Sequence, residues 1–352
     1  MRHIMRNWIV GAVVLGCLAA APWLGAYPVF LMKLMCFALF ACSLDLLLGY
    51  VGLLSFGHAA FFGGAAFIAG SAMRDHGCAP EVALLIGTGV GAALGLVFGL
   101  FAIRRKGIYF AMVTLAFAQM LFFFCVQAPF TGGEDGLQGV PRGRLFGVIP
   151  LENDLTLYFV ILSITTIVFL FLGRVIQSPF GKILTALKEN EARTISLGYD
   201  VDRFKLLAFV LSSAIAGLAG AMKTLVLGFA TLSDVHWTLS GTVILMTLIG
   251  GLGTRFGPVV GAVIVVVLES KLAAFGGWLA DMTHIAWFQG LGESVSLLTG
   301  VMFVACVLLF RRGIVGECAQ WMERRGRRRI RGIGRPAQHG SVRTGLTEGQ
   351  GG

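Results

Sequence analysis

The sequence predicts an all-α, polytopic membrane protein of about ten transmembrane helices with both termini in the cytoplasm. Three observations carry that prediction. Hydrophobic residues make up 57% of the 352 and charged residues only 13%, about half the roughly 25% charge of an ordinary soluble domain. Mean hydropathy is +0.83, and the apolar residues gather into runs near the roughly 20 residues needed to cross a bilayer. The arginines and lysines gather in alternate loops between those runs.

In order, the spans fall at Trp8–Ala26, Pro28–Leu48, Val51–Met73, Val82–Ile103, Gly107–Gln127, Leu155–Gly173, Phe204–Leu227, His236–Gly251, Gly257–Phe275 and Ile285–Phe310. Pro22-Trp23-Leu24 makes a poor cleavage site, so the first run reads as a membrane helix rather than a signal peptide. With the N-terminus inside, the inner loops hold Arg2 and Arg6, Arg104-Arg105-Lys106, the stretch Arg174–Lys205, Arg255 and the tail from Arg311. The outer loops hold Arg74, Arg142 and Arg144, diluted by Asp75, Glu134, Asp135, Glu152 and Asp154. The positive-inside bias therefore sets the orientation. Residues 1–310 read as one transmembrane domain that includes a cytoplasmic loop, 174–205, and an outer loop, 128–154. Residues 311–352 form an arginine-rich tail suited to anionic headgroups and disordered towards its end. The net charge of +10 lies in loops and tail, so membrane lipid explains it and nucleic acid is not expected as a partner.

The third span opens on Gly49-Tyr50-Val51-Gly52-Leu53-Leu54-Ser55-Phe56-Gly57-His58. Such a glycine-rich start predicts a broken or re-entrant segment, which survives only where protein buries it or a cavity lines it. The fourth span carries Gly87, Gly91, Gly95 and Gly99. The seventh carries Ser213, Gly217 and Ala221 beside Ser212, Ala216 and Gly220. Rows of small residues at this spacing let helices pack closely. Asp45, Gln119, Glu269 and Lys271 are polar groups inside spans and are expected to face the interior. Lys33 and Lys223 are near enough to the outer side to snorkel. In the outer loop, Thr131-Gly132-Gly133-Glu134-Asp135-Gly136 is turn chemistry. The seven scattered cysteines show no metal or redox spacing.

The loop Arg174–Lys205 carries six basic residues, Arg174, Lys182, Lys188, Arg193, Arg203 and Lys205. Ser178 before Pro179 is an N-cap with proline at the first helical position. Phe180, Ile183, Leu184 and Leu187 recur at helical spacing, with Lys182, Lys188, Glu189, Asn190 and Arg193 elsewhere. Gly198 suits a C-terminal stop, and Asp200 or Asp202 can cap the next span. The prediction is one amphipathic helix, Ser178–Gly198, outside the bilayer. It either lies on the membrane surface or docks a soluble partner.

The order of residues adds to this. SPFGKILTALKENEARTISLGYDVDRFKLLAF closely resembles the cytoplasmic coupling loop of ABC-transporter permeases of the branched-chain amino acid (LivM-like) family. GYVGLLSFGHAAFFGGAAF, GIYFAMVTLAFAQ and TGGEDGLQGVPR resemble the same family, and the likeness runs from about Leu48 to Phe310. The resemblance implies the transmembrane subunit of a bacterial inner-membrane importer for branched-chain or similar hydrophobic amino acids. It implies ABC ATPase subunits docked at Pro179, Phe180, Gly181, Ile183, Leu184, Leu187, Glu189, Asn190, Glu191, Arg193 and Gly198, with the apolar members in the ATPase groove. It also implies a second, LivH-like permease. Ser55, Gly57 and His58 would lie near the translocation path, although His58 can equally serve only to bond a neighbouring helix. A periplasmic binding protein would dock on the outer loop, with Glu134 and Asp135 as candidate contacts.

No catalytic cluster or cofactor motif is present. Gly217–Thr224 imitates a phosphate-binding loop but has Met222 where that loop needs glycine, and it lies in a span. The chain is therefore not expected to be an enzyme, and ATP hydrolysis falls to another subunit. A permease for urea or short amides shares the architecture. A stand-alone secondary transporter would need a mid-bilayer carboxylate, for which Glu269 is the candidate.

Overall fold

The computed structural model describes residues 27–283 without a gap (side chains to residue 270), and also 16, 18–23, 25, 300, 304 and 313–316. Most of the expected spans Trp8–Ala26 and Ile285–Phe310, the Lys271 side chain and nearly all of the tail lie outside these residues. Five described helices are long and apolar enough to cross a membrane.

Helix α1 (Pro28–Asp45) starts with Pro28 in its first turn and continues as a π-helical segment, Leu46–Val51. Gly52, with φ of +82°, turns the chain out of helix, a conformation that costs glycine least. Helix α2 (His58–Asp75) follows, so the third span begins as helix at His58 rather than at Val51. The unwound stretch between them finds partners in protein. Phe56 N–H donates to Thr114 Oγ1 at 3.3 Å, and Gly57 N–H donates to Ser55 Oγ at 3.3 Å. A Cβ on Gly57 would lie 2.6 Å from the Thr114 carbonyl oxygen, so glycine permits this close approach.

Helices α3 (Pro80–Ala102) and α4 (Ile108–Gln127) come next. The loop 128–154 then forms two 3₁₀ turns and a short antiparallel hairpin, β1 (Arg144–Leu145) with β2 (Ile149–Pro150). Helix α5 (Asp154–Gln177) leads into α6 (Pro179–Glu189) and α7 (Glu191–Ser196), followed by α8 (Val201–Leu227). Helices α9 (Trp237–Gly250) and α10 (Gly257–Thr283) end the described bundle.

Burial sorts the helices into layers. The most apolar window of Pro28–Val51 is 89% buried, against 28–33% for those of α3, α4 and α5. Helix α1 is thus the centre. The other three turn Leu85, Leu100, Phe101, Met112, Phe123 and Ile167 outwards, as lipid-facing helices do. The two small-residue rows meet each other. Gly91 faces the Ser213 carbonyl and Gly217, and Gly87 faces Ala221. The second row of α8 turns to α1 and α2, where Gly220 lies against the Phe62 backbone. Gly217–Thr224 is continuous helix within α8. Lys223 does not snorkel. Its side chain is 6% exposed and pairs at 2.5 Å with Asp234, because the turn after α8 folds a carboxylate back over it.

Candidate functional site

The polar stretch 174–205 forms two helices, not one. Ser178 caps α6, accepting from Gly181 N–H at 3.4 Å with Pro179 in the first turn. A Cβ on Gly181 would run into the Ile176 backbone, so the tight α5–α6 corner needs glycine there. Asn190 breaks the expected helix with φ −157° and ψ 97°, and its side chain accepts from Arg193 N–H at 3.0 Å to start α7. Asparagine is a strong N-cap because its carbonyl satisfies an orphan donor. That signal lay in the sequence beside Glu191, masked by the run of good helix formers around it. Gly198 takes φ of +87° after α7. Asp200, not Asp202, caps α8 by accepting from Arg203 N–H at 3.3 Å.

The faces of α6 correct a second expectation. Leu184 is 0% exposed and Leu187 4%. Both pack into this chain's own core, with Phe180 and Ile183 half-buried against it. These residues seat α6 on the bundle, so Leu184 and Leu187 are not presented to a partner. The outward face carries Pro179, Lys182, Glu189, Asn190 and Arg193. It continues over α7 and its exit with Ile195 at 53% exposure, Leu197 at 69% and Tyr199 at 42%. Sequence reasoning passed over that apolar trio because it does not share the periodicity of α6.

Two sets of charges hold the pair of helices. Glu191 accepts from Lys106, in the α3–α4 loop, at 2.9 Å and from Lys205, in the first turns of α8, at 3.0 Å. Burial pushes the Glu191 carboxyl up, but the two lysine hydrogen bonds outweigh it and hold the group below the usual glutamate range. Lys188 Nζ donates to the Gly49 carbonyl in the π-helical segment at 2.6 Å. Asp45 accepts from Gly253 N–H at 2.9 Å and lines a small cavity with Cys42, Tyr50, Gly173, Thr254 and Arg255.

Ser55, Gly57 and His58 are all buried. His58 Nε2 lies 3.2 Å from both Ser43 Oγ of α1 and Ser212 Oγ of α8, and Ser212 also donates to the Ser43 carbonyl. The imidazole stacks on Phe40 at 5.7 Å, and its Nδ1 has no partner among the described residues. The helices α1, α2 and α8 thus meet at one polar knot. In the loop 128–154, Glu134 and Asp135 are exposed on a 3₁₀ turn. Asp154 is engaged by Arg142 at 2.5 Å. Among the described residues, no three His, Cys, Asp or Glu side chains group as metal ligands would.

A family model described as "Branched-chain amino acid transport system / permease component" matches residues 29–307. The chain is 27% identical over 264 residues to the high-affinity branched-chain amino acid transport system permease protein LivM of Salmonella typhimurium, and 26% identical over 264 to that of Escherichia coli. Each match covers 68% of this chain and 62% of the relative. It is 26% identical over 196 residues to the probable branched-chain amino acid transport permease protein LivM of Methanocaldococcus jannaschii, covering 54% of this chain and 55% of that one. The chain thus spans under two thirds of the length of these relatives. No solved structure matches. With a match that runs from the start of α1 beyond α10, the chain belongs to the family of branched-chain amino acid transport-system permease components.

Proposed function

We propose that the chain is the transmembrane subunit of an ABC importer that moves branched-chain or similar hydrophobic amino acids into the cytoplasm. Separate ATPase subunits would dock under α6 and α7. The observation that carries this reading is the two-sided build of that pair. One face is seated on the bundle through Leu184 and Leu187, and the other leaves Ile195, Leu197 and Tyr199 exposed within a rim of Lys182, Glu189 and Arg193. An apolar centre with a charged rim is the anatomy of a protein–protein contact. A helix lying flat on lipid would instead turn its leucines away from its own protein.

On this reading the N-terminus and both polar helices are cytoplasmic, in a bacterial inner membrane. The pathway lies between this chain and a second, LivH-like permease. Ser55, Gly57 and His58 stand at its edge, where unwound backbone meets the polar knot of three helices. Glu134 and Asp135 are exposed for contact with a periplasmic binding protein. Closing of the ATPase pair moves α6 and α7 and changes which side has access. The amino-acid cargo is favoured by the family match over residues 29–307 and by the two bacterial LivM relatives, which match 68% of this chain. Relatives named for ribose or autoinducer 2 import match 36% and 53–55%.

The test is a pull-down from detergent-solubilised membranes. Ile195→Asp combined with Leu197→Asp is expected to lose an ATPase that wild type retains, while the permease keeps its melting temperature because both positions are exposed. If no ATPase accompanies wild type and uptake follows an ion gradient instead, the importer reading is wrong.

A further inference from the structure

A helix that stops leaves its last carbonyls without N–H partners, and that end carries partial negative charge. The π-helical segment Leu46–Val51 stops at Gly52. Its Leu47 carbonyl is served by Leu53 N–H at 3.2 Å, from just beyond the stop. Its Gly49 carbonyl is served from another element altogether, by the Lys188 ammonium at the end of α6. The Lys188 stem lies across the same stop, since a Cβ on Gly52 would stand 3.2 Å from Lys188 Cγ. On the other side, a Cβ on Gly49 would stand 2.6 Å from Gly253 N, whose N–H is already held by Asp45. The segment is therefore gripped between α6 and the α9–α10 loop. It leads directly through residues 52–57 to His58. Single-turn π-helical segments recur at functional sites.

We infer that Lys188 is a positioning residue that ties α6 to the π-helical segment, so that displacement of α6 is passed through residues 52–57 to the Ser43–His58–Ser212 knot. This rests on the reading of α6 and α7 as the ATPase-facing element. While the ammonium stays on the Gly49 carbonyl, pulling α6 outwards drags that carbonyl with it and shifts the backbone that holds Ser55 and Gly57.

Lys188→Met keeps the stem over Gly52 and removes only the donor, whereas Lys188→Arg keeps a donor. The experiment uses the complex purified through a tag on the full chain and reconstituted in proteoliposomes with its binding protein, probed with leucine and ATP. In Lys188→Met, leucine moved per ATP hydrolysed is expected to fall about two- to thirtyfold. Amide exchange is expected to quicken over residues 46–57, and Lys188→Arg is expected to restore most of the ratio. A wild-type ratio in Lys188→Met overturns the inference. So does a lower ratio with unchanged exchange over 46–57, because the loss then acts elsewhere. Failure of the underlying reading shows in the wild-type complex, as absence of both a co-purified ATPase and ATP-dependent leucine uptake, and it removes the inference as well.

Discussion

At opposite ends of α5 the chain carries two polar loops, 128–154 and 174–205, and they are fastened by different means. The loop 128–154 is held by backbone pairing together with Arg142, which reaches Asp154 and the Val226 carbonyl. Leu137 and Ala230 exchange two hydrogen bonds at 2.9 Å, and Val140 N–H donates to the Gly228 carbonyl at 2.9 Å. Nearby, the turn after α8 is closed by the buried Lys223–Asp234 pair, whose carboxylate also accepts from Thr231 N–H at 3.0 Å. The loop 174–205 is held by side chains: two buried leucines, one lysine on a carbonyl, and one glutamate between two lysines. On the proposed reading, the loop 128–154 is the fixture and the loop 174–205, whose few side-chain ties can be released and remade, is the part that moves.

The sharpest way to break this comparison is at Lys223. Removing the cation in Lys223→Met leaves Asp234 buried without a counter-charge, at a cost of about 3–5 kcal/mol. The melting temperature in detergent should fall markedly, and Lys223→Met with Asp234→Asn should recover most of the loss. An unchanged melting temperature in the single variant would show that this end of the bundle is less rigidly fastened than its geometry implies.

A somewhat smaller and more local effect is expected at the seat of α6. Leu184→Ala removes a fully buried side chain, for about 2–5 kcal/mol. The cost should fall on α6 itself, because α6 can lift while α1 and α8 stay packed. Limited proteolysis would then cut within residues 178–200 with the bundle intact. Global unfolding instead of local cutting would mean that α6 belongs to the rigid frame, and the contrast between the loops would fail.

Local rules made much of this molecule legible. Ser178-Pro179 announced the start of α6, the four glycines of α3 announced a close helix contact, and Gly52 and Gly57 announced a broken third segment. What stayed hidden was pairing across sequence distance. Nothing near Glu191 says that Lys106 and Lys205 converge on it, and nothing near Lys223 says that Asp234 returns to meet it. The direction of the α6 leucines was hidden for a related reason. An apolar stripe tells which residues seek cover, but not whether their own chain or a partner supplies it.

The smallest expected effect isolates α7 from α6. Glu191→Gln keeps the shape of the side chain and removes the charge that gathers Lys106 and Lys205. Lys205, 6% exposed at its side chain, then loses its carboxylate partner, and α7 should loosen by about 1–2 kcal/mol. The wild-type carboxyl is held below the usual glutamate range, which gives the contribution a definite dependence on pH. A group whose folded-state pKa is depressed stabilises fully above its unfolded value, near 4.3 for glutamate, and that contribution disappears as pH falls through the lowered folded value. Exchange of amides 190–197 should therefore be slow and level from neutral pH down to about 5. After correction for the intrinsic pH dependence of exchange, it should quicken below the ordinary glutamate value in wild type only. Glu191→Gln should be fast throughout and show no such step. A step of equal size in the variant would assign the acid sensitivity to another carboxyl, and α7 would then be held by its Asn190 cap rather than by the lysines.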